Sequence, residues 1–226
     1  MAAEKDETSG SGSESSEEEE METSGTGTEI VNVEFEARSP EEADAASIQR
    51  LLKQLLPSGV DLTALTQLVL SQSYVGAVVI QPNDGKPAES EAWDDDEEDI
   101  FGLTTLINLQ ARKENPAVIN FLDYLKSKYE SKGRSVENKA KFSDLFEGKL
   151  GDVGWIINER FVNLPSQLAP NLFESLSADL EEAIAKSMPY KVSRYLLIAK
   201  AHVLKGGTIQ NPLFVNDEEE MFFEVG

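Results

Sequence analysis

The residue types that could do chemistry are few, and they are not grouped as a catalytic set. His202 is the only histidine and the chain has no cysteine, so the usual nucleophile–base pairs and Cys-containing zinc sites have no members. Carboxylates abound, but their placement singles out no acid–base pair. His202 lies in an apolar stretch, which favours a structural imidazole over a ligand or a base. We therefore predict no catalytic and no metal-binding residues, and a protein that is not an enzyme.

Three glycines at regular spacing, Gly148, Gly151 and Gly154, invite comparison with a phosphate-binding loop. A dinucleotide-binding loop needs the pattern G-x-G-x-x-G between a strand and a helix. These glycines have a different spacing and precede a predicted strand. We interpret them as turn glycines and expect no cofactor.

The densest cluster of ionisable side chains is the run Asp94, Asp95, Asp96, Glu97, Glu98 and Asp99. A calcium-binding EF-hand loop would need a glycine within it and a helix after it. This run has no glycine and leads into an apolar strand. Two interpretations are left, a solvated loop or a docking surface for a basic partner. Acidic patches elsewhere in the chain favour the docking surface.

The acidic charge lies in three segments of the chain. Residues 1–29 hold ten acidic residues and one lysine, residues 84–99 hold nine and one, and residues 217–226 hold five acidic residues. These segments account for the whole net charge of −22, so the rest of the chain is neutral. Such a field attracts basic proteins and repels nucleic acid and anionic lipid. The predicted partner-binding residues are the run at 94–99 together with Glu218, Glu219 and Glu220. No apolar stretch approaches the ~20 residues of a membrane span, so we expect no nucleic-acid and no membrane binding.

Residues 1–29 consist mainly of Ser, Gly, Thr and Glu, with almost nothing to bury. Ordering them would cost about 1–2 kcal/mol per residue without compensation, so we predict a disordered acidic tail. Ser15 and Ser16 each precede a glutamate by three residues, which is the context of an acidophilic kinase. The two interpretations are a phosphorylated tail and a tail that only solubilises.

Apolar periodicity predicts one α/β domain over residues 30–226, with an acidic loop at residues 82–99. Apolar residues that alternate with polar ones predict strands, and apolar stripes three and four residues apart predict helices. Because the two kinds alternate, we predict a three-layer-like domain with a central mixed sheet. The predicted strands cover residues 30–35, 76–80, 101–109, 154–162 and 195–203, and a last one begins at Met221. The predicted helices follow Ser39 (with Glu42 closing a capping box), Asp61 and Asn115, and cover residues 142–146 and 173–184. Residues 131–141 are predicted as loop.

Five stretches in a fixed order carry a family resemblance. They are VNVEFEA at 31–37, IFGLTTLINL at 100–109, NERFVNLP at 158–165, YLLIAK at 195–200 and EEEMFFE at 218–224. Together with the acidic N-terminal segment and the acidic loop before Phe101, they resemble the BCCIP family. These eukaryotic proteins are named for interaction with a breast-cancer susceptibility protein and a cyclin-dependent kinase inhibitor.

The resemblance implies a fold like that of the GCN5-related acetyltransferases, without their activity. Those enzymes hold the pyrophosphate of coenzyme A on a glycine-rich turn between a central strand and a helix. We match that turn to residues 110–116, which contain no glycine, and Pro116 removes an amide donor. A divergent acetyltransferase-fold enzyme is the alternative to a non-enzymatic protein.

The resemblance also implies roles and partners. These are chaperoning of a basic large-subunit ribosomal protein in ribosome biogenesis, nuclear export, cell-cycle control and DNA-repair interactions, in nucleus and cytoplasm. An acidic histone-type chaperone is a further alternative. Two departures accompany these expectations. Lys205 stands where relatives often carry a Lys-rich insertion, and the chain stops at Gly226 where relatives continue, as a C-terminally truncated form would.

Overall fold

The computed structural model of the chain describes residues 33–82, 99–132, 136–203 and 212–225. The predicted disordered tail, the serines Ser15 and Ser16, and five residues of the acidic run (94–98) lie outside the described residues. Asp99 and the acidic residues 217–220 lie within them.

A five-stranded mixed sheet lies at the centre of the domain, in the order β1-β2-β3-β4-β5. Neighbouring strands are antiparallel except β4 and β5, which are parallel. The prediction of a central mixed sheet is thereby confirmed. The strands are β1 Glu36–Arg38, β2 Ala77–Ile80, β3 Ile100–Asn108, β4 Val153–Arg160 and β5 Arg194–Leu197. A separate antiparallel ladder joins β6 Ala201–His202 to β7 Leu213–Phe214.

Helices connect the strands and cover both faces of the sheet. In the described ranges they are α1 Ala45–Leu55, α2 Leu62–Ser71, α3 Pro116–Lys132, α4 Val136–Phe146, α5 Ala169–Ala185 and α6 Glu220–Val225. Short 3-10 turns lie at Glu42–Asp44, Ser166–Leu168 and Asp217–Glu219. α3 and α4 form a hairpin between two antiparallel strands, whereas α5 is the crossover between the parallel strands β4 and β5.

The larger core lies on the sheet face covered by α1, α2 and α3. Its centre is Trp155, which is fully buried and stacks on Phe121 with ring centroids 3.5 Å apart and planes 3° from parallel. Ile48 and Leu51 of α1 and Leu103 of β3 belong to the same cluster. Burying a side chain of this size contributes about 1.5–3 kcal/mol.

The opposite face of the sheet packs against α5. Leu176 of α5 clusters with Leu106 of β3 and Ile156 of β4, and Leu172 clusters with Val79 of β2. The sheet residues of the two clusters belong to opposite faces because successive side chains of a strand alternate. The domain therefore has helix–sheet–helix layers, as the sequence predicted.

The predicted first helix cap is wrong. Ser39 and Glu42 do not close a capping box; the carboxylate of Asp44 accepts the backbone N–H of Glu41 at 2.6 Å instead. Arg38 donates to both carboxylate oxygens of Asp44, at 2.7 and 2.9 Å. Because this arginine fixes Asp44, the chain makes a 3-10 turn first, and α1 begins at Ala45.

Two other predicted elements are wrong, and in both the observed helix makes aromatic contacts. Residues 136–141 are helical and not loop, because Phe142 stacks on Tyr129 of α3 at 4.8 Å and so pairs α4 with α3. The segment from Met221 is a helix and not a strand. The ring centroid of Phe222 lies 5.2 Å from that of Phe173, and the ring centroid of the next residue, Phe223, lies 5.5 Å from that of Phe214.

Two predicted strands differ from the observed ones. The first was predicted at residues 30–35, but β1 covers Glu36–Arg38, where it pairs with Val78 to Ile80 of β2. Residues 33–35 are not in a strand, and residues 30–32 lie outside the described residues. The strand predicted at 195–203 divides into β5 and β6, with residues 198–200 between them in neither ladder.

Candidate functional site

One end of the central sheet collects the described acidic residues that the sequence singled out. β2 ends at Ile80, which pairs with Ile100 at the start of β3, and Gly102 pairs with Arg160 at the end of β4. The segment between Pro82 and Asp99 therefore begins and ends at this end of the sheet. Residues 84–99 of the sequence carry a net charge of −8. We call this the acidic end of the sheet.

Asp99 is the described residue of the acidic run. Its carboxylate accepts a hydrogen bond from Arg50 of α1 at 3.0 Å, and the same guanidinium nitrogen donates to Ser47 at 2.8 Å. Both partners of this ion pair are exposed, and such surface pairs contribute about 0–1 kcal/mol. The contact therefore positions the end of the acidic segment against α1 without adding much stability.

The three glutamates predicted to bind a partner have different environments. Glu218 makes an ion pair with Arg160, with Nη2 and Oε2 3.1 Å apart and 9% of each side chain exposed. Glu219 is 1% exposed and accepts a hydrogen bond from Asn216 at 3.1 Å. Glu220 is exposed. Partner binding by these residues stays a prediction, but in this fold only Glu220 of the three presents its charge to solvent.

The buried glutamates form a polar network beside β4. Glu159, whose side chain is fully buried, pairs with Lys200, and Asn158 donates to Glu218 at 3.1 Å and accepts from Thr104 at 3.1 Å. Oε2 of Glu159 and Oε2 of Glu219 have no hydrogen-bond partner among the residues that the structure describes. Within the described ranges, the three carboxylates of Glu159, Glu218 and Glu219 thus share two cations, Arg160 and Lys200.

The ionisation of this network follows from its burial. Burial raises the pKa of Glu219 to about 7, against hydrogen bonds from Asn216 and Asn158 that lower it, and the charges of Glu159 and Glu218 raise it further. Burial also raises the pKa of Glu159, and Lys200 opposes that shift. Protonation of Glu219 below about pH 7 therefore offsets the shortage of cations, because an unpaired buried carboxylate is costly.

The network fills the edge of β4 that β5 leaves uncovered. β5 pairs with β4 only as far as Ile156, so residues 157–160 extend beyond it. Asn216 donates to the carbonyl of Asn158 at 3.5 Å, and Lys200 reaches Glu159 from the same segment that follows β5. The chain between β5 and α6 therefore takes the place of a strand partner through side chains.

A half-buried aromatic row crosses the acidic end. Phe35 packs edge-on against Phe101 with ring centroids 5.8 Å apart, and Phe101 packs edge-on against Phe161 with ring centroids 6.4 Å apart. Regular alternation along β3 would place Phe101 on the same face as Leu103. The β2–β3 register shifts between Val79 and Ile80 and leaves Phe101 without a partner on β2, so it joins the cluster on the α5 face. Next to this row, Val162 is 85% exposed.

The network residues Glu159, Arg160, Lys200 and Asn216 were not predicted as functional. A signal for them was present in the sequence, because a charged pair, Glu159-Arg160, interrupts an apolar strand. Buried charges in a strand need partners, but the partners are 41 and 58 residues away along the chain.

The turn matched to a cofactor loop needs correction. Residues 110–116 lead into α3 and an antiparallel return, whereas the parallel strand–helix–strand unit is β4–α5–β5. A phosphate loop at the carboxyl end of a parallel strand would lie at residues 161–168. That segment has no glycine, and Pro170 in the first turn of α5 lacks an amide donor.

Other candidate residues are placed as follows. His202 lies exposed in β6, and Gly148 and Gly151 have positive φ in the turn after α4, as turn glycines do. Within the described residues, His, Asp and Glu side chains form no group of three arranged to hold a metal ion. None of the described helices is both long enough and apolar enough to span a membrane.

The fold defines a class of mixed α/β domains that is known from solved structures. The structure is similar to the crystal structure of BCP1 from Saccharomyces cerevisiae, with a TM-score of 0.56 over 92% of this chain and 79% of that chain, at 19% sequence identity. The sequence profile of the BCCIP family matches residues 30–220. The chain belongs to the BCCIP family.

Curated relatives agree with this membership. A Drosophila melanogaster BCCIP homolog is 32% identical over 85% of this chain and 66% of its own length. The Bos taurus BRCA2 and CDKN1A-interacting protein is 33% identical over 87% of this chain and 67% of its own length. The bcp1 protein of Schizosaccharomyces pombe is 30% identical over 77% of this chain and 58% of its own length. The chain thus spans about two thirds, or less, of the length of the relatives it matches.

Proposed function

We propose that the protein is a non-enzymatic adaptor and chaperone that captures a basic protein client at the acidic end of the sheet. The observation that carries the proposal is that exposed Asp99 and exposed Val162 lie at that end of the sheet, with exposed Glu220 two residues after Glu218, which pairs with Arg160. Charge attracts and orients the client, and an apolar contact gives the encounter a fixed position.

The client that we propose is a basic large-subunit ribosomal protein. Its rRNA-binding surface is rich in Lys and Arg, and it would meet carboxylates on this protein before it meets phosphates in the ribosome. This role places the protein in ribosome biogenesis, in nucleus and cytoplasm, with export of the client. The clustered acidic charge supports the proposal, because like the phosphates of RNA it neutralises basic side chains.

We also propose adaptor contacts with regulators of recombination and the cell cycle. The support is family membership: the bovine relative is named for interaction with BRCA2 and CDKN1A. Those contacts do not depend on net charge alone, so they would be less sensitive to salt than capture of the ribosomal client.

The absence of enzymatic activity is part of the proposal. Two observations support it: the turn at 161–168 offers no glycine cradle, and the edge of β4 beyond β5 is occupied by Asn216 and Lys200. Titration with acetyl-coenzyme A checks this point. A micromolar heat signal would favour an acetyltransferase-fold enzyme instead.

The main test is capture of the purified ribosomal client by the full chain at rising salt. One variant replaces residues 94–98 by the corresponding amides, which removes five charges. The matched control removes five charges from exposed acidic residues of helices and turns outside the acidic end: Glu114, Asp123, Glu130, Glu181 and Glu182. We expect weaker capture and a flatter salt dependence for the first variant only. Equal effects of the two variants would show that net charge acts without a site.

A competition experiment separates the ribosomal client from the histone alternative. The client is bound first, and core histones are then added at physiological salt. Retention of the ribosomal protein supports the proposal. Its displacement at equal concentrations would point to an acidic histone chaperone.

A further inference from the structure

The end of the sheet opposite the acidic end carries an open groove. β3 finishes there at Asn108 and β4 starts at Val153. The groove lies between the α3–α4 hairpin and these strand ends, encloses about 320 Å³, and is called the hairpin groove below. Its floor is apolar and consists of Leu109, Leu122, Leu145, Phe146 and Val153.

The hairpin groove is accessible from solvent. Leu122, Leu145 and Phe146 are only half-buried. One wall is backbone, because it is formed by Gly148 and Gly151, whose φ angles are 68° and 73°. A Cβ added at Gly151 would meet nothing within 4 Å. The volume is at the lower end of ligand pockets and leaves room for one bulky apolar side chain and part of its backbone.

The charged side chains that line the groove are Lys113 and Glu147. Lys113 lines the groove and is exposed, with no acidic side chain within ion-pair distance in the described part of the chain. Glu147, also at the rim, is already neutralised by Lys149 at 2.5 Å and accepts a hydrogen bond from Ser143 at 2.8 Å. Arg194 does not line the groove but lies beside it, because it pairs with Val153 of the floor across β4 and β5 and donates to the carbonyl of Leu150, next to Gly151, at 2.7 Å.

We propose that the hairpin groove binds a short acidic peptide segment of a second protein partner, with one bulky apolar side chain of that segment in the groove. The apolar floor takes the side chain, and Lys113 and Arg194 face carboxylates on either side of it. A peptide of this charge is repelled by the acidic end. The protein would then join two partners of opposite charge at opposite ends of one sheet.

A peptide explains the groove better than a nucleic acid does. Proteins that bind single strands stack bases on several aromatic side chains, whereas the floor here is aliphatic apart from Phe146. The inference does not rest on the proposed client at the acidic end, and either one can fail alone.

The test measures binding of a fluorescein-labelled peptide, Asp-Glu-Glu-Phe-Glu-Glu-Asp, to the full chain by fluorescence anisotropy. We expect micromolar affinity at low salt, and weakening of about tenfold for Lys113→Glu because an attraction becomes a repulsion. The matched control is Lys126→Glu, which places the same change on an exposed residue of α3 that does not line the groove. A peptide with serine in place of phenylalanine should lose most of the binding.

Several results would overturn the inference. They are the absence of peptide binding to the intact chain, equal effects of Lys113→Glu and Lys126→Glu, equal affinity of the serine peptide, or tighter binding of a single-stranded oligonucleotide than of the peptide. Amide shifts in an NMR titration supply a second measurement. They should fall at Leu109 and Val153 and not at the acidic end. Capture of the basic client should be unchanged by Lys113→Glu, which separates the two proposals.

Discussion

Arg160 of β4 and Glu218 of the C-terminal 3-10 turn form a forked ion pair across 58 residues of sequence. Nε lies 3.2 Å from Oε1 and Nη2 lies 3.1 Å from Oε2, while Nη1 of the same arginine donates to the carbonyl of Leu164 at 2.6 Å. The pair attaches the segment after β7 to the central sheet.

Replacing Glu218 by alanine should destabilise the protein strongly. The substitution removes the carboxylate that is hydrogen-bonded to the buried guanidinium of Arg160, and breaking a buried ion pair in this way costs about 3–5 kcal/mol in comparable cases. Urea unfolding followed by fluorescence measures the loss. Glu220→Ala is the matched control, because this nearby glutamate is exposed, and it should change the free energy of unfolding by less than about 0.5 kcal/mol. Equal midpoints for the two variants would contradict a structural role for Glu218.

Glu219 should make stability depend on pH near neutrality. Burial raises its pKa in the folded state to about 7 from an ordinary 4.5. Between these values the folded state holds a proton that the unfolded state has lost. The contribution of Glu219 to the free energy of unfolding is therefore greatest below pH 4.5, falls as the pH rises to 7, and is constant above pH 7. The full effect is up to about 3 kcal/mol at about 1.4 kcal/mol per pKa unit.

Glu219→Gln provides the control for this pH dependence. The amide has a similar shape and does not titrate, so the variant should lose the part of the slope between pH 5 and 7 that Glu219 supplies. Unfolding free energies at pH 5, 6, 7 and 8 are compared for both proteins. Parallel curves would mean that Glu219 titrates normally in the folded state.

Gly76 and Gly151 both have positive φ, at 106° and 73°, but differ in the space around them. A Cβ at Gly76 would lie 2.3 Å from the carbonyl oxygen of Thr104, whereas one at Gly151 would meet nothing within 4 Å. Gly76→Ala should therefore cost well over 2 kcal/mol, and Gly151→Ala about 1–2 kcal/mol from backbone strain alone. Thermal melting of the two variants should rank them in that order; the reverse order would contradict the close approach of the chain at Gly76.

Much of the sheet and of its helical layers could be predicted, because the signals are local. The alternation in β3, the cap at Asp61 and the stripe in α3 each depend on residues a few positions apart. Asp61 indeed accepts the backbone N–H of Ala64 at 3.0 Å, and the predicted strand at 101–109 is β3, Ile100–Asn108.

The C-terminal region could not be predicted in the same way, because its structure depends on distant partners. Local composition predicts an exposed acidic patch at residues 217–220. In the folded chain, however, Glu218 accepts hydrogen bonds from Arg160 and Asn158 and is largely buried. The helix α4 likewise depends on Tyr129 of another helix, which Phe142 stacks against. Such pairings become visible only when the chain is folded.

Val162 should contribute to client capture without contributing to stability. Its side chain is 85% exposed next to the aromatic row of the acidic end, so Val162→Ser should leave the unfolding free energy unchanged within about 0.5 kcal/mol. If the proposed client covers this residue, capture should weaken several-fold, and the loss should persist at high salt because apolar contacts are not screened. Ile119→Ser, at a 46% exposed residue of α3, is the matched control and should bind the client normally. Equal capture by both variants would restrict the client's contact to the acidic side chains.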